Sequence, residues 1–200
     1  MIKLNMNNLT IAISGIIGAG KSTLAKQLAS NLKATVLEEP VLENEYLPKF
    51  YANMKKYSFP MQIYFITQRF QQQLNIKADG ITIQDRSLYE DIIFAKMLKD
   101  DGLMEDLDYK TYCELYKTLT DLLQVPDVII YLDVDPTIAL ERIKKRARGC
   151  ELNGISLEYL QSLKVGYERW LENIQSQTRV IKLDWNKFRN IEYIKELLNF

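Results

Sequence analysis

The stretch Gly15-Ile16-Ile17-Gly18-Ala19-Gly20-Lys21-Ser22-Thr23 constrains this chain more than any other, because it fits G-x-x-x-x-G-K-[ST], the pattern of a phosphate-binding loop. It follows an apolar run, Leu9 to Ile13, and opens a segment in which Leu24 and Leu28 recur at helical spacing. Strand, glycine loop and helix in that order are the context the motif needs. Glycines let successive backbone N–H groups turn into one concavity, and a helix beginning near Gly20 adds the positive end of its dipole. A polyphosphate fits there, with Lys21 reaching the β and γ phosphates as a point charge and the Ser22 hydroxyl placed to ligate Mg²⁺. The competing reading is a glycine-rich turn that only joins a strand to a helix, and it leaves Lys21 and Ser22 in register by accident. The chain is therefore expected to bind a nucleoside triphosphate.

Composition narrows the chemistry further. The 200 residues suit one domain spanning 1–200, large enough for a parallel sheet covered on both faces. With 26 basic and 26 acidic side chains the formal charge is zero, so neither nucleic acid nor a membrane surface is expected as a partner held by bulk electrostatics. There is no histidine, which removes a His general base, a Ser-His-Asp arrangement and any His-containing zinc site. Proton transfer must then fall to carboxylates. Cys113 and Cys150 show no paired spacing, as in a reducing compartment. The first eight residues lack the features of a signal or transit peptide, and no apolar run is long enough to cross a bilayer, so a cytoplasmic protein is expected.

Apolar β-rich runs occur at Leu9–Ser14, Thr35–Glu38, Ile81–Gln84, Val128–Asp133 and Arg179–Leu183, most of them short and nearly continuous in hydrophobicity. Such strands are buried on both faces. Helical patterns lie between them at Lys21–Leu32, Glu43–Lys55, Pro60–Lys77, Ser87–Lys99, Tyr109–Leu123, Pro136–Arg146, Leu157–Gln175 and Ile191–Leu198. The alternation predicts a doubly wound α/β fold, a five-stranded parallel sheet flanked by helices, in which ligands collect at the carboxyl ends of the strands. Chemical residues do follow the first three strands: Ser14-Gly15, Glu38-Glu39-Pro40 and Asp85-Arg86-Ser87.

Pro40 biases Glu39 toward an extended conformation, holding its carboxylate at a strand tip where it can accept the proton of an attacking hydroxyl. The competing reading has Glu38 or Glu39 capping the next helix. Asp85 can hold Mg²⁺, Arg86 can neutralise charge on a transferred phosphoryl group, and Ser87 can cap a helix from Leu88; the pair also reads as a surface ion pair. Gln62 and Arg69 share a helix face two turns apart, suited to a nucleobase edge or simply to solvent, and Asp91 has the same ambiguity. Arg142, Arg146 and Arg148 form the densest basic cluster, as for a clamp on a polyphosphate, and run into Gly149–Gly154, read as a flexible, lid-like break.

Taken together these motifs resemble the deoxynucleoside kinase family, almost from the loop to the C-terminus. The resemblance implies a P-loop NTPase-like fold with an arginine-rich lid at about 142–156, ATP and Mg²⁺ as donor, and a deoxynucleoside as acceptor. Glu39-Pro40 is similar to that family's general base with its proline, Gln62 and Arg69 to its base-reading pair, Tyr51 to its tyrosine on the sugar 3′-hydroxyl, and Asp85-Arg86-Ser87 to its [DE]-R-S motif. Arg142, Arg146 and Arg148 resemble the lid arginines, Glu151 the lid glutamate on the 3′-hydroxyl, and Asn186 with Phe188 the segment over adenine. Arg69 together with Asp91 resembles members that take deoxyadenosine, deoxyguanosine and deoxycytidine. A homodimer is implied by resemblance alone. Whether Glu39 or Asp85 takes the proton stays open at this level.

Three rival readings remain: a thymidylate-type monophosphate kinase, a GTP switch and a nucleotide-sensing protein without turnover. The first needs extra basic residues for an acceptor phosphate, and the Tyr51–Gln62 region offers few beyond Lys55 and Lys56. A switch needs N-K-x-D and D-x-x-G motifs, and neither is present.

Overall fold

The apolar runs fold as a sheet buried on both faces. The computed structural model describes residues 8–41, 44–76, 79–147, 149–152 and 154–200. Five strands, β1 (Asn8–Ser14), β2 (Thr35–Leu37), β3 (Gly80–Asp85), β4 (Val128–Asp133) and β5 (Arg179–Asp184), run parallel in the order β2-β3-β1-β4-β5. Ile11 pairs with Ile83 on one side and Val128 on the other, and all three are fully buried. Branched side chains pack well on such a two-sided pleated surface. The same register sets Ile13 beside Asp85, so the end of β3 is level with the start of the phosphate loop.

The helices are α1 (Lys21–Leu32), α2 (Tyr46–Ala52), α3 (Met54–Leu74), α4 (Asp91–Asp100), α5 (Asp106–Thr120), α6 (Pro136–Arg146), α7 (Gly149–Leu152), α8 (Leu157–Ile174) and α9 (Ile191–Leu198). A 3₁₀ turn, Leu88–Glu90, leads into α4. Among the described residues no helix is long and apolar enough to cross a membrane.

Several boundaries differ from the sequence reading: α5 starts and ends three residues early, and the helix expected from Ser87 opens as the 3₁₀ turn before α4. The helix expected from Pro60 begins at Met54, because the Asn53 side chain accepts the Lys56 amide at 3.1 Å and caps it there, and Pro60 sits inside. Proline lacks an N–H, so the helix forgoes one ladder bond at that turn. The segment expected over Glu43–Lys55 is split: α2 ends where Asn53 takes φ −153°, and Met54 and Lys55 already belong to α3; Glu43 itself lies outside the described residues. The expected break over Gly149–Gly154 instead carries the helical turn α7.

From β1 the chain crosses to β2 at one edge, and from β4 it crosses to β5 at the other. Connections diverging from neighbouring strands open a crevice at their carboxyl ends, and the phosphate loop lies there. Gly18 in that loop has φ +83°, and a Cβ on it would fall 2.5 Å from the Ala139 carbonyl of α6. Neither the dihedral nor the space admits a side chain. Gly18→Ala is therefore expected to lower the urea midpoint by the equivalent of at least about 1–2 kcal/mol and to abolish triphosphate binding. An unchanged midpoint and affinity would refute the tight seating of the loop.

Candidate active site

The crevice opens into a cavity of about 390 Å³. Ile17, Gly18, Gly20, Lys21, Ser22 and Thr23 line one end, whereas Gly15, Ile16 and Ala19 are buried beneath the loop. Tyr51 of α2, Gln62, Phe65 and Arg69 of α3, and Asp91 and Phe94 of α4 line the other. Glu39 and Arg86 stand between the two ends.

An alternating chain of charges runs through this middle. Glu39 Oε1 accepts from Arg86 Nε at 2.8 Å and from Arg69 Nη2 at 3.1 Å. Arg69 Nη1 donates on to Asp91 Oδ1, and Arg86 Nη1 donates to Glu90 Oε2 at 3.2 Å. Both guanidinium groups also lie against aromatic rings, Arg69 on Phe65 and Arg86 on Phe94. Arg86 adopts φ +74°, a left-handed conformation that is uncommon for a residue with a side chain and clusters at functional sites. Burial works to raise the Glu39 pKa, but Arg86, Lys21 and Arg69 outweigh it and hold the group at about 2. Burial pushes Asp91 up to about 6 although Arg69 pulls the other way.

Glu90 anchors the chain. With no exposure at all, it accepts the Ser14 hydroxyl at 2.8 Å, the Ser87 amide at 2.9 Å, Arg86, and the Tyr167 hydroxyl of α8. The amide contact means that Glu90, reaching back, closes the turn expected to be capped by Ser87.

At the loop end, Lys21 Nζ donates to the Gly15 and Ile16 carbonyls at 3.0 and 3.1 Å. Burial, then Arg86, lowers its pKa to about 8 against the opposing pull of Glu39, Asp85 and Glu90. Asp85 is buried and does not line the cavity; burial and the charge of Glu39 raise its pKa, while Lys21 and a hydrogen bond from Ser22 oppose them. Its Oδ1 has no partner, an orphan acceptor beside a hydroxyl, and this donor pair fits Mg²⁺ or an ion-bound water. Among the described residues no cluster of three His, Cys, Asp or Glu side chains could hold a metal alone, so an ion here would draw further ligands from bound phosphates.

Arg142 is placed differently from a free phosphate clamp. Its Nη1 donates to the Ala19 carbonyl at 3.1 Å, its Nη2 to the Trp185 and Asn186 carbonyls at 2.8 and 3.0 Å, and its guanidinium stacks 4.4 Å from the Phe188 ring centre. Arg142, Arg146 and Phe188 all line the cavity. The Asn186 side chain does not, because its Oδ1 accepts the Asp135 amide at 2.8 Å. Arg148 lies outside the described residues, as does the Glu151 side chain.

In the acceptor half, Gln62 is buried and its amide makes no protein hydrogen bond among the described residues. Tyr51 lies directly under Gly154, where a Cβ would fall 2.2 Å from the Tyr51 ring. Sequence reasoning did not single out Phe94, Glu90, Tyr159 or Tyr167. Phe94 stands three residues after Asp91, a helical spacing that could have revealed it. Tyr159 and Tyr167 read only as part of the apolar face of α8.

A phosphate loop, buried arginines and a carboxylate on one apolar cavity define a nucleotide-binding α/β protein equipped for phosphoryl transfer. Comparison with known proteins narrows this class. The deoxynucleoside kinase family signature matches residues 11–199. Deoxyadenosine kinase of Dictyostelium discoideum is 46% identical over 98% of this chain and 80% of its own length. Deoxyadenosine/deoxycytidine kinase of Bacillus subtilis is 43% identical over 84% of this chain and 79% of its own. The solved structure of M. mycoides deoxyadenosine kinase with the products dCMP and dCDP superposes with a TM-score of 0.88 at 37% identity, covering 96% of this chain and 99% of that one. The chain belongs to the deoxynucleoside kinase family and is a phosphotransferase.

Glu90→Gln keeps the shape of the side chain but removes the charge that balances Arg86. The variant is expected to lose about 3–5 kcal/mol in urea unfolding, as for one broken member of a buried ion pair. A loss under about 1 kcal/mol would mean that Glu39 alone suffices for Arg86.

Proposed function

We propose that the enzyme transfers the γ-phosphoryl group of ATP, bound with Mg²⁺, to the 5′-hydroxyl of a 2′-deoxynucleoside, with deoxyadenosine, deoxyguanosine and deoxycytidine the favoured acceptors, and that residues 1–200 act as one kinase domain. The observation that carries this reading is one cavity holding the phosphate loop at one end and the paired Arg69 and Asp91 facing Gln62 at the other, with Glu39 between. The names of relatives support it: the M. mycoides kinase is described with dATP and with dCTP bound.

The roles follow from position. The loop amides and Lys21 hold the donor phosphates, with Arg142, Arg146 and Arg148 from the segment at about 142–156 completing the clamp and Phe188 lying over adenine. Ser22 and Asp85 would hold Mg²⁺, which supplies charge neutralisation between the β and γ phosphates. Tyr51 and Glu151 grip the sugar, while Gln62, Arg69 and Asp91 meet the base edge. Both arginine contacts fall on Glu39 Oε1, so Oε2 is the oxygen left to take the 5′-hydroxyl proton. As the O5′–phosphorus bond forms and the bond to the β-phosphate oxygen breaks, Arg86 neutralises the charge on the equatorial oxygens.

The acceptor half argues against a monophosphate acceptor. Among the described residues its two arginines are already matched by Glu39, Asp91 and Glu90, and Lys55 points instead to Glu105 on the surface. Initial rates with Mg·ATP against the four deoxynucleosides, dTMP and dAMP test the assignment: phosphorylation of nucleosides with both monophosphates inert is the expected result. Reaction of a monophosphate alone would overturn it.

Glu39→Gln should lower turnover by about 10²–10⁴-fold with little change in ATP affinity. Near-normal turnover would move the proton to Asp85. Lys21 gives a separate test: bound phosphates should raise its pKa from about 8, so ATP binding at pH 8 is expected to take up about half a proton per site. Uptake should fade below about pH 7, where Lys21 is already charged, and calorimetry in buffers of different ionisation enthalpy measures it.

A further inference from the structure

Tyr167 is fully buried, in ring contact with Phe94, Tyr131 and Trp170, and its hydroxyl accepts from Arg86 Nη1 while donating to Glu90 Oε2. Charge balance does not call for it. Arg86 already has Glu39 on Nε at 2.8 Å and Glu90 on Nη1 at 3.2 Å. What a neutral phenol adds is direction. With Nε turned to Glu39 and Nη1 to Glu90 and Tyr167, Nη2 is the least engaged corner, its contact with the Gly15 carbonyl long at 3.4 Å. Lys21 donates to that same carbonyl at 3.0 Å, so Nη2 stands beside the ammonium of the phosphate loop.

The approach of α8 is built for this contact. Gly166 lies inside the helix, where glycine is less favourable than alanine, and a Cβ on it would fall 2.6 Å from Ile93 Cγ2 of α4. Glycine lets the two helices close up next to the residue that bears the hydroxyl. Arg86 meanwhile keeps φ +74°, a conformation that persists where the surroundings over-determine it.

We propose that Tyr167 is a positioning residue for phosphoryl transfer: its hydroxyl, set by the close approach of α8 to α4 at Gly166, holds Arg86 Nη1 back so that Nη2 is presented to the transferred phosphoryl group. Without that hydroxyl the guanidinium stays paired with Glu39 and Glu90 but pivots between them, and a displaced donor loses grip on the transition state more than on the bound substrates. The inference rests on the reading in which Arg86 neutralises the equatorial oxygens.

The test is single-turnover phosphorylation of deoxyadenosine at saturation, with enzyme in excess over labelled ATP, so that product release does not enter; urea midpoints establish that each variant is folded under the assay conditions. Tyr167→Phe keeps the ring and is expected to lower the saturated rate about 10–100-fold, with the dissociation constants of ATP and deoxyadenosine changed less than about threefold. Gly166→Ala retains the hydroxyl but forces α8 off Ile93, and should lower the same rate. In Arg86→Lys, whose ammonium has no Nη1 to hold, Tyr167→Phe should cost little further. The parent's saturated rate in either Tyr167→Phe or Gly166→Ala overturns the proposal, as does a Tyr167→Phe loss that persists undiminished in Arg86→Lys. A normal saturated rate in Arg86→Lys alone is a different failure, removing the role of Arg86 itself.

Discussion

Two buried guanidinium groups at the carboxyl edge of a parallel sheet must be balanced, and much of the site's architecture answers that demand. Arg86 directly follows β3 and Arg69 comes from the last third of α3, yet Glu39 bridges them while Glu90 and Asp91 close the two ends. An isolated buried arginine would cost several kcal/mol, so β2, β3, α3 and α4 are held in mutual register by charge as well as by packing. Tyr167 brings α8 into the same network through Glu90. Nothing in this chain of contacts belongs to the core in the ordinary sense, but the core has to fold around it.

The phosphate loop and this charge network meet at Lys21. Its ammonium donates to two carbonyls of its own loop, within reach of the phosphates that the loop is shaped to hold. The same segment shows why a kinase can work without histidine. A loose phosphoryl-transfer transition state asks for placed charge more than for a strong base, and the proposed acceptor Glu39 is held far below the usual carboxylate range.

Most of the frame was legible in the sequence because the signals were local. The β1–loop–α1 motif, strands nearly continuous in hydrophobicity, and the placing of Glu39, Asp85 and Arg86 just after or at strand ends follow from periodicity and the topology of parallel sheets. What was not legible depends on distant partners. Glu90 reads as one acid beside Asp91 until Tyr167, 77 residues away, is seen to bind it. Asn186 reads as a loop residue open to a ligand until the Asp135 amide takes its side chain. The start of α3 was missed for another reason: Pro60 looks like a helix opening, and only the Asn53 cap shows that the helix was already under way.

Arg142 carries a final consequence. One side chain joins the phosphate loop, α6 and the stretch between β5 and α9, segments brought together from more than a hundred residues apart. The ordering entropy of that half of the cavity is thus spent in folding, and a donor nucleotide meets a surface already assembled. On the acceptor side α7 packs against α2, and Gly154 lies against the Tyr51 ring. On the donor side one side chain thus reaches three separate segments, so any change at Arg142 is felt by all three at once.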